Sequence, residues 1–230
     1  IADAYKRVTG NDVRIAYGSS GNFTQQIEHG APFELFLSAD EAYVERLAAK
    51  GFTRDAGTLY AIGRVALFVP RGSPLAADPA LADLALAVRD GRVRRFAIAN
   101  PEHAPYGRAA RDVLQHAGLW DAISPSLVLG ENASQAMQFA AGGGAQGGIV
   151  PWSLTKAPEV AKLGTAVLLP AQWHRPLRQK LPFAAELIER RGRGLVVVGV
   201  RQPAEVHALA HWINAALGNA SGQNWLPSAA

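Results

Sequence analysis

Three times along this chain a short apolar run breaks into a polar turn and then into an amphipathic segment. "VRIAY" (13–17) leads into "GSSG", "RRFAIAN" (94–100) into "PEHAPYG", and "SLVLG" (126–130) into "ENAS". This alternation is the strongest constraint on the fold. A strand that returns parallel to its predecessor needs a crossover, and a helix is the usual one. The chain is therefore predicted to be α/β with largely parallel sheets.

Further strands are expected at "FELFLSA" (33–39), "LYAIGRVALFVP" (59–70, one long strand or two with a bend at Gly63), "GGIVP" (147–151), "TAVLLP" (165–170) and "GLVVVGV" (194–200). Helices are expected in several places. The first runs through Ile1, Ala4, Tyr5 and Val8 and stops at Gly10; the second passes through Phe23 and Ile27 and stops at Gly30. A Ser38/Glu41 capping box opens a helix burying Tyr43, Val44 and Leu47. Later helices pass through Val113 and Leu114, follow "ENAS" until a run of glycines, and span 203–217. The long strand near 59–70 and "HRPLRQKLP" (174–182) are natural crossing points between two units. That divides the chain into lobe one, 1–70 with 178–230, and lobe two, 71–177, with crossings near 68–85 and 172–182.

Composition narrows function by exclusion. With 230 residues, 49% hydrophobic and 18% charged, the chain can bury one large core or two small ones. It has no cysteine, which rules out disulfides, thiolate chemistry and Cys-ligated metals. The formal charge of +4 is a mild bias toward small anions. The one basic run, "RDGRVRR" (89–95), reads as solvated surface, and no nucleic-acid module is recognisable. No apolar stretch approaches the roughly 20 residues that span a bilayer. The opening "IADAYKR" has no methionine, basic n-region or signal-like core, as expected of a processed, trimmed or incompletely represented chain.

The informative polar sequences all fall at the carboxyl ends of strands, where open α/β sheets bind ligands. A helix that follows such a strand offers free N–H groups and a partial positive dipole. Glycines let the backbone approach closely, and a serine hydroxyl adds a donor. Facing corners of this kind would surround a tetrahedral oxyanion with neutral donors. The plainer reading of Ser20 is a helix N-cap.

Enzyme readings find less support. "GSSG" has neither the G-x-S-x-G nucleophile elbow nor the G-K-[ST] ending of a phosphate loop. Of the six histidines, His207 and His211 are spaced i,i+4 but lack the H-E-x-x-H glutamate, since position 208 is Ala. His103 reads as loop structure or support beside the site, and Trp152 and Tyr106 as core or pocket lining. Two alternatives stay open: a small α/β enzyme acting on a phosphorylated metabolite, with His103 and Glu131 as titratable candidates, and the ligand-sensing domain of a regulator.

The segments "YGSSGNFTQQIEHGAPFELFLSAD" (17–40), "LYAIGRVALFVP" (59–70), "IANPEHAPYGRAA" (98–110) and "GENASQAMQFAAGGGAQGGIVP" (130–151) resemble, in order, the periplasmic molybdate-binding proteins, solute receptors of molybdate ABC transporters. The resemblance implies a two-lobed type II periplasmic binding protein fold with mixed, mostly parallel sheets. It implies binding, not catalysis: molybdate or tungstate held between the lobes by hydroxyls and amides. The metal would be bound as its oxyanion, with no direct side-chain ligation and no further cofactor. The matching ligand positions are Ser20 (hydroxyl and N–H), the backbone of Tyr106 and the backbone of Ala133, with Ser19 and Gly21 shaping the first corner. Neutral donors compensate a dianion without the cost of burying a counter-charge. The resemblance also implies a periplasmic monomer that partners the permease subunits of an ABC transporter and no nucleic acid.

Two departures accompany it. Many members carry a tyrosine hydroxyl ligand after a "GIV"-type strand, where this chain has Pro151. The family also begins with a strand and an "A-(S/T)-N-F"-like turn, whereas this sequence starts inside the expected first helix, so the first strand of lobe one is expected to be missing.

Overall fold

The structure, a computed structural model, describes residues 6–7 and 14–182. The expected strand 194–200, the helix 203–217 with His207 and His211, and most of the first helix lie outside the described residues.

The larger unit is a five-stranded sheet in the order β4-β3-β5-β2-β6. Its strands are β2 (Val65–Pro70), β3 (Phe96–Ala99), β4 (Leu127–Gly130), β5 (Gly147–Pro151) and β6 (Gly164–Leu168). The sheet is mixed: β3 runs parallel to β4 and β5, while β2 pairs antiparallel with β5 and β6. The side chains of β2, β3 and β5 are buried on both faces, which is why these segments read as continuous apolar runs. Alternation along each strand then sorts the core. Val65, Leu67, Val69, Phe96, Ile98 and Ile149 point to one face, with Leu84 of α3 (Ala82–Arg89), Val113 and Leu114 of α4 (Pro105–His116) and Ile123 of α5 (Trp120–Ile123). Phe68, Ala97, Ala99 and Val150 point to the other, against Ala136, Met137 and Ala140 of α6 (Ala133–Ala141).

The smaller unit contains α1 (Ser20–Glu28), α2 (Glu41–Ala49) and β1 (Thr58–Gly63), which pairs antiparallel with β7 (Leu177–Leu181). Val44 and Leu47 of α2 pack with Phe36, and Phe23 and Ile27 of α1 close this small core. Gly30, at φ 87°, ends α1 in the left-handed region that glycine tolerates, as its expected stop requires. Together the two units give the two-lobed α/β architecture.

Three sequence expectations are corrected. Residues 13–17 do not form a strand among the described residues: 14–18 have no regular structure and are exposed, with Tyr17 81% accessible. An alternating pattern becomes a strand only where a neighbour completes its hydrogen-bond ladder, and no described segment does so here. Residues 33–39 likewise form no strand among the described residues, only bridges at Leu35 and Ser38, the latter to Lys180 with Ser38 N–H to Lys180 O at 2.9 Å. The cap of α2 is Asp40, whose carboxylate accepts from Ala42 N–H at 2.9 Å, while Ser38 Oγ turns back onto the Asp40 backbone. Of the two readings of 59–70, the structure has the pair of strands, broken at Gly63 and Arg64, and β2 belongs to the large sheet through its ladders with β5 and β6. β1 and β2 thus lie in different sheets, with Arg64 between them. A Cβ on Gly63 would sit 2.9 Å from Leu177 Cβ on the paired strand and 2.7 Å from Tyr106 Oη, so a side chain there would have to displace its neighbours.

Candidate functional site

Each polar corner opens a helix. At the first, Ser19 is the N-cap of α1, its Oγ accepting from Asn22 N–H at 3.3 Å. Ser20, read from sequence as a possible cap, is instead the first helical residue. Its buried Oγ accepts from Ala39 N–H at 3.0 Å. That bond occupies a lone pair and leaves the hydroxyl proton available to an incoming acceptor.

The second corner is organised by Asn100, whose backbone oxygen accepts from Ala104 N–H at 2.9 Å and whose Oδ1 accepts from Glu102 N–H at 3.0 Å. Pro105 then starts α4, where its missing N–H costs nothing. At the third corner Asn132 caps α6 by accepting from Gln135 N–H at 3.0 Å, and Gln135 Oε1 accepts from Glu131 N–H at 2.7 Å. Among the described residues, the N–H groups of Ser20, Tyr106 and Ala133 have no backbone acceptor. They are first-turn amides that a helix cannot satisfy internally.

His103 ties the three corners together. Its Nδ1 lies 2.9 Å from Ser19 Oγ, and its Nε2 lies 3.5 Å from Glu131 Oε2. Its backbone oxygen accepts from Gly21 N–H at 3.0 Å and from the Tyr43 hydroxyl at 3.5 Å. Tyr106 follows three residues after His103, and Ala133 two residues after Glu131. The structure thus gathers Ser19, Ser20 and Gly21 of one unit beside the helix starts that carry Tyr106 and Ala133 in the other. Pro151 stands at the end of β5, paired with Val65, and offers neither N–H nor hydroxyl.

A Ser–His–Glu order is not by itself a catalytic triad here. Ser19 is 4% exposed and its Oγ is already the cap of α1, so the contact reads as a bridge between units. Among the described residues no group of three or more His, Asp or Glu side chains is placed to hold a metal ion.

The surroundings are close to neutral. Arg108 pairs with Asp40 across the units and lies 5.4 Å from the centre of the Tyr43 ring, so its charge is compensated. Burial pushes the phenols of Tyr60 and Tyr106 above the ordinary tyrosine range and keeps both uncharged at neutral pH. The Tyr106 hydroxyl accepts from Gln179 Nε2 at 2.7 Å, which turns its side chain toward β7 and leaves only its backbone for a ligand. Sequence reasoning missed Asp40, Tyr43, Arg108 and Gln179. They meet partners 60 to 73 positions away, and no local motif announces such contacts.

Comparison with known proteins agrees with this geometry. The family model described as "Bacterial extracellular solute-binding protein" matches residues 1–186. The chain is 37% identical over 180 residues to the molybdate-binding protein ModA of Rhodobacter capsulatus, covering 78% of this chain and 68% of that one. It is also 37% identical over 183 residues to ModA of Azotobacter vinelandii, covering 78% and 69%. Among solved structures, the periplasmic molybdate-binding protein of Azotobacter vinelandii superposes with a TM-score of 0.69 at 31% identity, over 80% of this chain and 78% of that one. The sulfate-binding protein SubI of Mycobacterium tuberculosis, at 17% identity and a TM-score of 0.61, shares the fold. The family and these relatives are all described as binding proteins. The chain belongs to the bacterial extracellular solute-binding protein family, as a homologue of its periplasmic molybdate-binding members.

Proposed function

We propose that this chain is the periplasmic receptor of a molybdate ABC importer, binding MoO4 2− or WO4 2− between its lobes and delivering it to the permease subunits as a monomer. One observation carries the reading: the starts of α1, α4 and α6, each with a first-turn amide that has no backbone acceptor among the described residues, are drawn together by His103. Ser20 donates through its hydroxyl and N–H, and Tyr106 and Ala133 donate through their N–H groups. Lobe one takes in 178–230 in this reading, with the crossing into lobe two at Arg64.

The chemistry follows from the donor set. A tetrahedral dianion presents acceptors only, and the site offers donors only. Each helix start adds a partial charge of about +0.5, so three together offset much of the −2 without a buried cation. Closure removes water, which strengthens every one of these bonds. Protonated phosphate brings an O–H that finds no acceptor in a donor-only cage. Sulfate has the right charge but is smaller, so it cannot reach all donors at good hydrogen-bond distance. Calorimetric titration of the full chain tests the reading: molybdate and tungstate bind at one site, with sulfate and phosphate far weaker.

A further inference from the structure

Gly21 poses a question that ligand binding does not answer. It lies inside α1 with ordinary helical backbone, where glycine is a poorer choice than alanine. Its conformation does not require glycine; its surroundings do. A Cβ there would lie 2.6 Å from His103 O, 3.0 Å from His103 Cβ and 3.0 Å from Tyr43 Oη. Its N–H also donates to that same His103 carbonyl at 3.0 Å. Two main chains from opposite lobes therefore meet directly, one residue from Ser20 and three from Tyr106.

We infer that the Gly21–His103 main-chain contact is a closure stop that fixes the width of the ligand cage. The inference rests on the oxyanion-receptor reading above and adds the residues that set its selectivity. Backbone against backbone cannot yield as a flexible side chain does, and the Gly21–His103 hydrogen bond holds the lobes at that spacing. The donors on Ser20 and Tyr106 flank the stop, so their separation is set by the protein and not by the anion. A cage of fixed width cannot tighten around a smaller ion, which loses hydrogen bonds instead. The His103 ring has a separate part. Its contacts with Ser19 and Glu131 hold the lobes against the stop without determining where the stop lies. His103 is accordingly a positioning residue, acting on the ligand through the corners it joins.

The absence of cysteine allows unique spin labels at exposed positions, Gln25→Cys in lobe one and Gln115→Cys in lobe two. Electron–electron distance measurements on the full chain, with molybdate and then with saturating sulfate, read closure directly. A stop gives the same closed distance with both anions; a shorter distance with sulfate overturns it. Gly21→Ala is the wedge. Relief of its 2.6 Å contact to an ordinary 3.4 Å needs about 0.8 Å of retreat, enough to stretch a good cross-lobe hydrogen bond beyond its range. The variant should give a longer closed distance with molybdate and lose at least about tenfold in affinity, as expected when a hydrogen bond to a charged group is lost. His103→Ala should bind more weakly yet close to the wild-type distance. Wild-type closure and affinity in Gly21→Ala would refute the stop. Should that variant not fold, the two-anion comparison in the wild type and the His103→Ala distance decide the matter. Failure of the wild type to bind any oxyanion would defeat the receptor reading itself, a distinguishable result.

Discussion

Removing the hydroxyl of Ser20 tests the proposed ligand set where the geometry gives the most to work with. Its Oγ sits between two partners: it accepts the Ala39 N–H at 3.0 Å and holds its own proton for the anion. Ser20→Ala deletes both bonds. A hydrogen bond to a charged group contributes about 1.5–3 kcal/mol, which corresponds to about ten- to 150-fold in Kd for molybdate. The Ala39 N–H loses its partner in the free protein as well, at about 1 kcal/mol of folding stability. The two effects separate by assay: calorimetry reads the first and thermal unfolding without ligand reads the second. Ser19→Ala is the comparison. It removes the α1 cap, with a stability cost of about 0.5–2 kcal/mol, and also the His103 contact. If Ser20→Ala lowered the melting temperature while molybdate affinity stayed within about twofold of wild type, less than 0.5 kcal/mol, the hydroxyl would not be a ligand.

Three further outcomes are expected. Tyr106→Phe should cost about 1 kcal/mol of stability through the lost Gln179 bond, seen in denaturant unfolding, and change molybdate affinity far less than Ser20→Ala because the proposed contact is main-chain. Phe96→Ala, at a fully buried position in the central sheet, should destabilise by about 3–5 kcal/mol in the same assay. Glu28, held down to about 2 by hydrogen bonds from Arg46 and Lys50, contributes stability that is fully present above its ordinary value of 4.5 and lost as pH falls toward 2. Carboxylate NMR titration should place it there, and Arg46→Ala should move it upward.

The large sheet was legible because its signals are local. β2, β3 and β5 are buried on both faces, so their sequences are unbroken apolar runs, and α4 and α6 carry their own start signals in Pro105 and Asn132. The lobe-one segments were not legible for the opposite reason. Residues 13–17 and 33–39 alternate well, but a ladder belongs to a pair of segments, and among the described residues neither meets one along its length. Asp40 displaced Ser38 as a cap because the helix begins two residues later than the capping box requires, a difference that composition does not reveal. At the site, the donor-bearing turns could be read from their position after apolar runs. The role of Gly21 could not, because it depends on a carbonyl from the other lobe.

Three helix starts that form a cage for one tetrahedral oxyanion should take up a single anion, which competitive calorimetric titration of the full wild-type chain measures. One site per chain is expected for molybdate, with tungstate displacing it and sulfate competing only at large excess. Equal competition by sulfate, or no heat and no binding with either metal oxyanion, would contradict it.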